Sequence, residues 1–304
     1  MNNWQLNTPV AFLIFNRPDT TDQVFEAIRA AKPPKLLIVA DGPRPAVAGE
    51  VDRCKAARSV IERVDWPCEV LTCMSDFNLG CKERITTGLD WVFDQVEEVI
   101  ILEDDCLPHP DFFRFCEEML DRYRHDQRVM MITGTNYLLD KLAIEESYCF
   151  SRYFTIWGWA AWRRSWSKYD PTMSGWNQLR DQHQLKSLYS QDYMCKYVSK
   201  MFDAAYLNKI NTWDTQWFYS CLFNNGLCIV PRVNLISNIG IQGAHSAKVS
   251  SNHNFPVFGM NVGDLKHPQL VMPNRLYDHD FFETKFKKNF LTRLNRFFNR
   301  WFKK

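Results

Sequence analysis

Val99-Ile100-Ile101-Leu102-Glu103-Asp104-Asp105 is an apolar run that stops at three consecutive acids. Four apolar residues in a row, three of them β-branched, predict a strand buried on both faces. Three adjacent carboxylates repel one another unless a cation neutralises them. Open α/β folds bind ligands at the carboxyl ends of their parallel strands. A divalent metal carrying a nucleotide diphosphate therefore accounts for strand, charge and position together. A solvated acidic turn accounts for the charge alone.

Upstream, strand and helix patterns alternate. Val10–Phe15 reads as a strand and breaks at Asn16-Arg17-Pro18. A helix follows with Val24, Ala27, Ile28 and Ala31 on one face, ended by Pro33-Pro34. Leu36–Ala40 is a second strand, closing on Asp41-Gly42, and the next helix lies around Cys54–Val64. Glu69–Cys73 is a third strand, Asn78-Leu79-Gly80 a turn, and Glu83–Val96 a helix with Ile85, Leu89, Val92 and Phe93 inward. This order predicts an α/β fold with a mostly parallel sheet and helices on both faces. Beyond the strand at Val129–Thr133 the pattern changes. Trp157, Trp159, Trp162, Trp166 and Trp176 crowd one stretch, and Leu227–Val230 opens a late strand. The expected organisation is one domain over 1–245, with a nucleotide half at about 8–135 and an acceptor half at about 136–245. A loop-rich segment follows at 246–280 and a basic amphipathic helix at 281–304.

The 304 residues suffice for one large α/β domain or two small ones, and a net charge of +2 suggests no nucleic-acid partner. The ten cysteines show no CxxC pair or regular spacing, and no secretory signal opens the chain, so a reducing cytoplasm is expected. No apolar run has the length that spans a bilayer.

Three strands end in polar residues at what should be one sheet edge: Asn16-Arg17, Asp41 and Glu103-Asp104-Asp105. Asp41 and Asp104 can serve a base and ribose while Asp105 reaches Mg²⁺ or Mn²⁺, hard ions that favour oxygen ligands and leave positions open for phosphate. Neither GxGxxG nor GxxxxGK[ST] occurs, so dinucleotide and P-loop binding find no support.

The stretch Ile100–Phe113, with Glu103-Asp104-Asp105 and then Pro110-Asp111-Phe112-Phe113, resembles the metal-binding segment of N-acetylglucosaminyltransferase I. Pro9–Arg17, Asp41-Gly42, and Asn78-Leu79-Gly80 with Lys82 and Arg84 resemble bacterial family-two-like glycosyltransferases of the same GT-A fold. Gly158–Trp162 is similar to the segment lining the sugar and acceptor site, and Asn211–Trp217 to the Trp-Asp-Asp-Trp segment that bears the catalytic base. The likeness spans about residues 8–245. It implies inverting transfer of a hexose or N-acetylhexosamine from a UDP-sugar, with UDP-N-acetylglucosamine as the family's suggestion, to a glycan or glycolipid acceptor. Lipopolysaccharide or capsule synthesis would be the setting. By the resemblance Asp105 binds the metal, Glu103 and Asp104 hold its shell or the ribose, and Asp214 is the base. Trp159 would stack on the sugar, with plain core packing as the alternative; Lys82 and Arg84 would contact a phosphate or simply start a solvated helix; and His245 would contact the metal or diphosphate or stand idle in its loop. Thr215 stands where the family has its second Asp. Asp214 is equally placed to cap a helix.

Phe282, Phe286, Phe290, Leu294, Phe297 and Trp301 recur at helical spacing, and residues 285–304 carry eight basic residues and no acid. This predicts peripheral binding to an anionic membrane at its inner face; a C-terminal helix packed on the core is the alternative. Two other functions compete. A sugar-nucleotide nucleotidylyltransferase would want a Gly-rich loop where Phe15-Asn16-Arg17-Pro18 stands. A non-catalytic glycan-binding protein would not need the acid triplet.

Overall fold

The apolar runs form strands whose side chains alternate between two buried faces. The computed structural model describes residues 4–189, 191–240 and 256–287. Its strands are β1 (Val10–Ile14), β2 (Lys35–Ala40), β3 (Glu69–Met74), β4 (Glu98–Glu103), β5 (Cys106–Pro108), β6 (Val129–Thr133), β7 (Tyr148–Ser151), β8 (Trp159–Trp162), β9 (Leu227–Pro231) and β10 (Ile236–Asn238). Eight of them make one sheet in the order β3-β2-β1-β4-β8-β6-β9-β7, while β5 and β10 pair apart. Four of the seven pairings in the large sheet are parallel, and β8 and β7 run antiparallel to their neighbours.

The helices are α1 (Pro18–Ala31), α2 (Glu50–Arg58), α3 (Cys81–Gln95), α4 (Asp111–Tyr123), α5 (Arg163–Trp166), α6 (Trp176–Asp181), α7 (Leu185–Leu188), α8 (Asp192–Tyr206), α9 (Asp214–Phe223) and α10 (Arg275–Phe282). Val10, Phe12 and Ile14 of β1 and Ile100 and Leu102 of β4 pack with Val24, Phe25 and Ile28 of α1 and with Phe112, Phe115 and Met119 of α4. Ala11, Leu13, Val99 and Ile101 face the other way, against Leu89, Val92 and Phe93 of α3 and the aromatic side chains of α8, α9 and α10. Burying each larger side chain contributes about 1.5–3 kcal/mol relative to exposure. The two-sided burial expected of the 99–102 run is thus what holds β4 rigid below the acids.

The register brings the strand ends level. Leu13 pairs with Glu103, and Ile14 with Ala40. Arg17, Asp41 and the acid triplet consequently share one edge.

Three sequence expectations need revision. The helix placed around Cys54–Val64 starts at Glu50 and tightens into a 3₁₀ turn over Ser59–Arg63. The segment read as loop-rich to residue 280 contains α10, whose first turn is capped by the Asn274 side chain accepting from the Tyr277 amide at 3.0 Å. The aromatic face assigned to a membrane instead begins in the core. Phe282 packs on Tyr193 and Tyr197, and Phe286 packs on Tyr197 and Tyr153. The remainder of that call, residues 288–304, lies outside the described residues.

Asp278 ties α10 to the end of β7. It accepts from Ser151 Oγ at 2.6 Å and from the Arg152 amide at 3.3 Å. Burial pushes its carboxyl up to about 6, against the pull of those donors. The folded state therefore holds this proton more tightly than the unfolded chain, and stability falls as pH rises from about 4 through 6. Urea unfolding at closely spaced pH values should show this decline in the wild type and a flatter dependence in Asp278→Asn.

Candidate functional site

At the end of β4 two of the three carboxylates pair with one guanidinium. Arg17, just after β1, donates through Nη1 to Asp105 Oδ2 at 2.6 Å and through Nη2 to Asp104 Oδ1. Asp104 also accepts from the Phe15 amide at 3.1 Å. The backbone of Gly240 lies so close that a Cβ there would overlap Asp105 Oδ2 and stand 2.9 Å from Arg17 Nη1. Burial pushes Asp104 up to about 6, with Asp105 adding to the effect while Arg17 pulls it back. Glu103 is pushed well above the ordinary carboxylate range by burial, then by Asp105 and Asp104, and its Oε1 is buried without a hydrogen-bond partner.

One guanidinium serves two of the three acids, and the third, Glu103, keeps its proton at neutral pH with its Oε1 orphaned. A divalent cation fits that chemistry. Among the described residues no group of three or more His, Cys, Asp or Glu side chains converges on one point. His245 lies outside the described residues.

Several expected ligand contacts are structural instead. Asp41 is only 6% exposed. Its Oδ1 accepts from the Gly42 and Leu79 amides, both at 2.9 Å, and its Oδ2 accepts from Asn78 Nδ2 at 2.8 Å and from the Gly80 amide at 3.0 Å. It folds the Asn78-Leu79-Gly80 turn onto β2 and has its hydrogen-bonding capacity spent there, not on a base or ribose. Gly42 is required by the same fold, since a Cβ would stand 2.5 Å from the Phe77 backbone. Asn16 donates to Glu50, which also holds Arg44. Arg84 turns inward to the Cys73 carbonyl at 2.6 Å, away from any phosphate. Lys82 donates to Asn208 at 3.1 Å beside a cleft of about 450 Å³ lined by Leu79, Thr86, Thr87 and Asn211. Trp159 is fully buried between Trp213 and Trp217, so it is core and presents no face to a sugar. Gly158 is required by packing on Ile236 and Leu102, not by a ligand's approach.

Asp214 opens α9. Its Oδ1 accepts from Thr212 Oγ1 and from the Thr215 amide at 2.8 Å. Among the described residues Oδ2 carries no hydrogen bond, leaving one oxygen able to accept a proton from a ligand. The residue is thus both a helix-start acid and a candidate base. Its charge acts on Glu103, Cys81, Tyr137 and Lys285, which places it at the same edge as the acid triplet. Burial, then Glu103, Asp214 and Asp41, push the Cys81 thiol up to about 12, so no thiolate nucleophile is available there.

Three residues here were not singled out from the sequence. Trp157 is half-buried, with its ring centroid 5.6 Å from that of Tyr137, and Lys285 donates to Tyr137 Oη at 2.9 Å. Trp157 belongs to the tryptophan-dense stretch, but only its tertiary placement distinguishes it from Trp159. Tyr137 and Lys285 had no local signal.

No family model matches the chain, and no curated protein matches it. Solved structures similar to it include UDP-glucose pyrophosphorylase complexed with UDP-glucose, at 14% identity over 47% of this chain with a TM-score of 0.25. The chain spans 62% of that protein's length. Apo UDP-glucose pyrophosphorylase aligns at 10% identity over 76% of this chain and 93% of its own, with a TM-score of 0.34. Mouse xyloside xylosyltransferase 1, apo form, aligns at 9% identity over 70% and 81%, with a TM-score of 0.36. Likeness at this level carries no argument about activity.

Because Asp41 satisfies four donors, Asp41→Ala should cost about 2–4 kcal/mol of stability. Urea denaturation measures it; a loss under 1 kcal/mol would show that the turn holds without this carboxylate.

Proposed function

We propose that this protein is a GT-A-type glycosyltransferase that moves a sugar from a UDP-sugar to an acceptor hydroxyl with inversion. The observation that carries the reading is the division of labour at the sheet edge. A buried acid triplet that shares one guanidinium is joined by a separate carboxylate, Asp214, one oxygen of which carries no hydrogen bond among the described residues. Inverting transfer needs this pair of functions: compensation for the departing diphosphate, and a base for the acceptor proton.

Asp105 would hold Mn²⁺ or Mg²⁺, which when bound supplies neutralisation of the departing diphosphate. Arg17 fixes the Asp104 and Asp105 carboxylates in place. Asp214 takes the acceptor proton on Oδ2, its other oxygen being pinned by Thr212 and Thr215. Trp157 and Tyr137, in place of Trp159, offer the aromatic surface for the sugar. No covalent intermediate is needed, in keeping with the neutral Cys81 thiol.

The acceptor in this reading is a lipid-linked or surface glycan, reached at the inner face of a membrane. The support for that part is the basic sequence of residues 288–304, together with the absence, among the described residues, of any helix long and apolar enough to cross a bilayer. The nucleotidylyltransferase alternative finds less support, because Phe15-Asn16-Arg17 after β1 gives its cation to Asp104 and Asp105 and forms no Gly-rich phosphate loop.

UDP with Mn²⁺ should raise the melting temperature, and Asp105→Ala should abolish the metal-dependent part of that rise. No response of the wild type to UDP would reject the reading. Asp214→Asn should bind UDP normally yet lose about 10²- to 10⁴-fold in sugar transfer across a donor and acceptor panel. Turnover near the wild-type rate would reduce Asp214 to a structural acid.

A further inference from the structure

β7 is the last strand of the large sheet, and residues 265–274 run past its outer edge as a strap. The strap is fastened at two points. At the first, the Ser147 amide donates to the Lys266 carbonyl at 2.8 Å, the Lys266 amide donates to Ser147 Oγ at 2.9 Å, and Tyr148 Oη shares a hydrogen bond with His267 Nδ1 at 3.0 Å. At the second, the Asn274 amide donates to the Phe150 carbonyl at 2.7 Å, and Pro273 bridges Phe150. Ser147 and Phe150 are three residues apart, about 10 Å along a strand. Lys266 and Asn274 are eight apart, enough chain for about 26 Å. The residues between the fastenings therefore cannot lie flat along the edge and bow off it.

What the bow exposes is apolar. Val271 packs on the core together with Leu265, while Leu270 and Met272 on either side of it are 66% and 55% exposed. Leu276, in the first turn of α10, is 77% exposed. Apolar side chains scattered singly over a surface are ordinary, but three large ones within seven residues form a patch of the kind that meets a partner or a membrane. The charge around them has one sign. From Leu265 to Tyr277 the sequence holds no Asp or Glu, and the exposed Lys266 and Arg275 flank the apolar residues, neither with an ion-pair partner among the described residues. The nearest acids along the chain are Asp264 and Asp278, and Asp278 is taken up by Ser151 and the Arg152 amide. Past α10, residues 288–304 add six basic residues and no acid.

We propose that this strap is a membrane-contacting surface, on which Leu270, Met272 and Leu276 enter the interfacial layer of an anionic bilayer while Lys266 and Arg275 meet its headgroups. Apolar side chains at the acyl boundary and basic residues beside them reinforce each other in reversible membrane binding. A second copy of the chain fits the patch less well. Three side chains cover a few hundred Å² at most, whereas a stable complex buries about 800 Å² per partner. The proposal rests on the membrane part of the function proposed above and on nothing said there of the nucleotide. It moves the lipid contact from Phe282 and Phe286, which the core covers, to the residues just ahead of them in the chain.

The test is co-sedimentation of the full chain with vesicles of phosphatidylglycerol and phosphatidylethanolamine and, separately, of phosphatidylcholine alone. The wild type is compared with Leu270→Ser/Met272→Ser/Leu276→Ser and with an apolar control, Leu270→Met/Met272→Leu/Leu276→Met. The wild type should bind the anionic vesicles more than about tenfold tighter than phosphatidylcholine. The serine variant should lose about 10- to 100-fold of that affinity, and the control should stay within about threefold of wild type. All three proteins should melt alike, because the substituted side chains are exposed. Anionic-vesicle binding that the serine variant retains overturns the proposal and leaves the membrane reading to residues 288–304. Equal binding of the wild type to both vesicles overturns it, as does a loss that the apolar control shares or that tracks a fall in melting temperature. A wild-type dimer that the serine variant dissociates in analytical ultracentrifugation gives the patch to a second copy and overturns it likewise. A wild type that binds neither vesicle overturns both the proposal and the membrane reading, while the response to UDP still decides on the transferase.

Discussion

Three carboxylates in sequence at a buried strand end form an electrostatic problem, and much of the local structure is arranged around it. Separated by single peptide units in a low-dielectric edge, Glu103, Asp104 and Asp105 cannot all be ionised without nearby cations. Arg17 can compensate two of them because β1 lies directly beside β4 in parallel register, which brings the residue after β1 level with the residues after β4. Gly240 follows from the same packing, since the chain after β10 passes too close to the Arg17–Asp105 pair for a side chain. What Arg17 leaves uncompensated falls on Glu103, whose carboxyl is pushed up to about 8 by burial and its two acidic neighbours, so that it keeps its proton at neutral pH.

The rest of the edge is built for rigidity more than for contact with a ligand. Asp41 and Asn78 bind each other and their neighbouring amides, and Glu50 gathers Asn16 and Arg44. Such closed networks fix the frame around Asp105, held by Arg17, and around the Asp214 oxygen that carries no hydrogen bond among the described residues. A site fixed in this way does not have to order its own frame when a ligand arrives.

The fold was legible because its signals are local. Uninterrupted apolar runs such as Ile100–Leu102 have one stable placement, a strand covered on both faces, and the period of α3 and α4 sets their buried stripes without tertiary information. The site was legible only as an edge. The acids and Arg17 could be named because strand order brings strand ends together, and Asp214 only because Asn211–Trp217 resembles a segment that bears a catalytic base. The individual roles of Asp41, Arg84 and Trp159 could not, because each depends on which partner comes within hydrogen-bonding or packing distance. Asp41 is consumed by a turn some 38 residues away in sequence. Arg84 is turned inward by its place on the sheet-facing side of α3. Trp159 and Trp157 have similar sequence surroundings, yet Gly158 turns the chain with a positive φ (+58°) just before β8 begins, which leaves Trp157 half-buried and Trp159 in the core.

The C-terminal segment shows why periodicity alone leaves two physical outcomes open. A four-residue aromatic repeat with interspersed basic residues produces an apolar face, and that face can be covered by lipid or by the protein's own core. For Phe282 and Phe286 the core covers it, because Tyr193, Tyr197 and Tyr153 supply an aromatic surface of matching shape. The one basic residue between them is Lys285. Lys285 is carried inward with its neighbours and ends over Tyr137, in reach of the charge of Asp214. Burying an ammonium is unfavourable unless polar or aromatic groups replace its water. Here the Tyr137 hydroxyl and the faces of Tyr137 and Phe281 take part in replacing it.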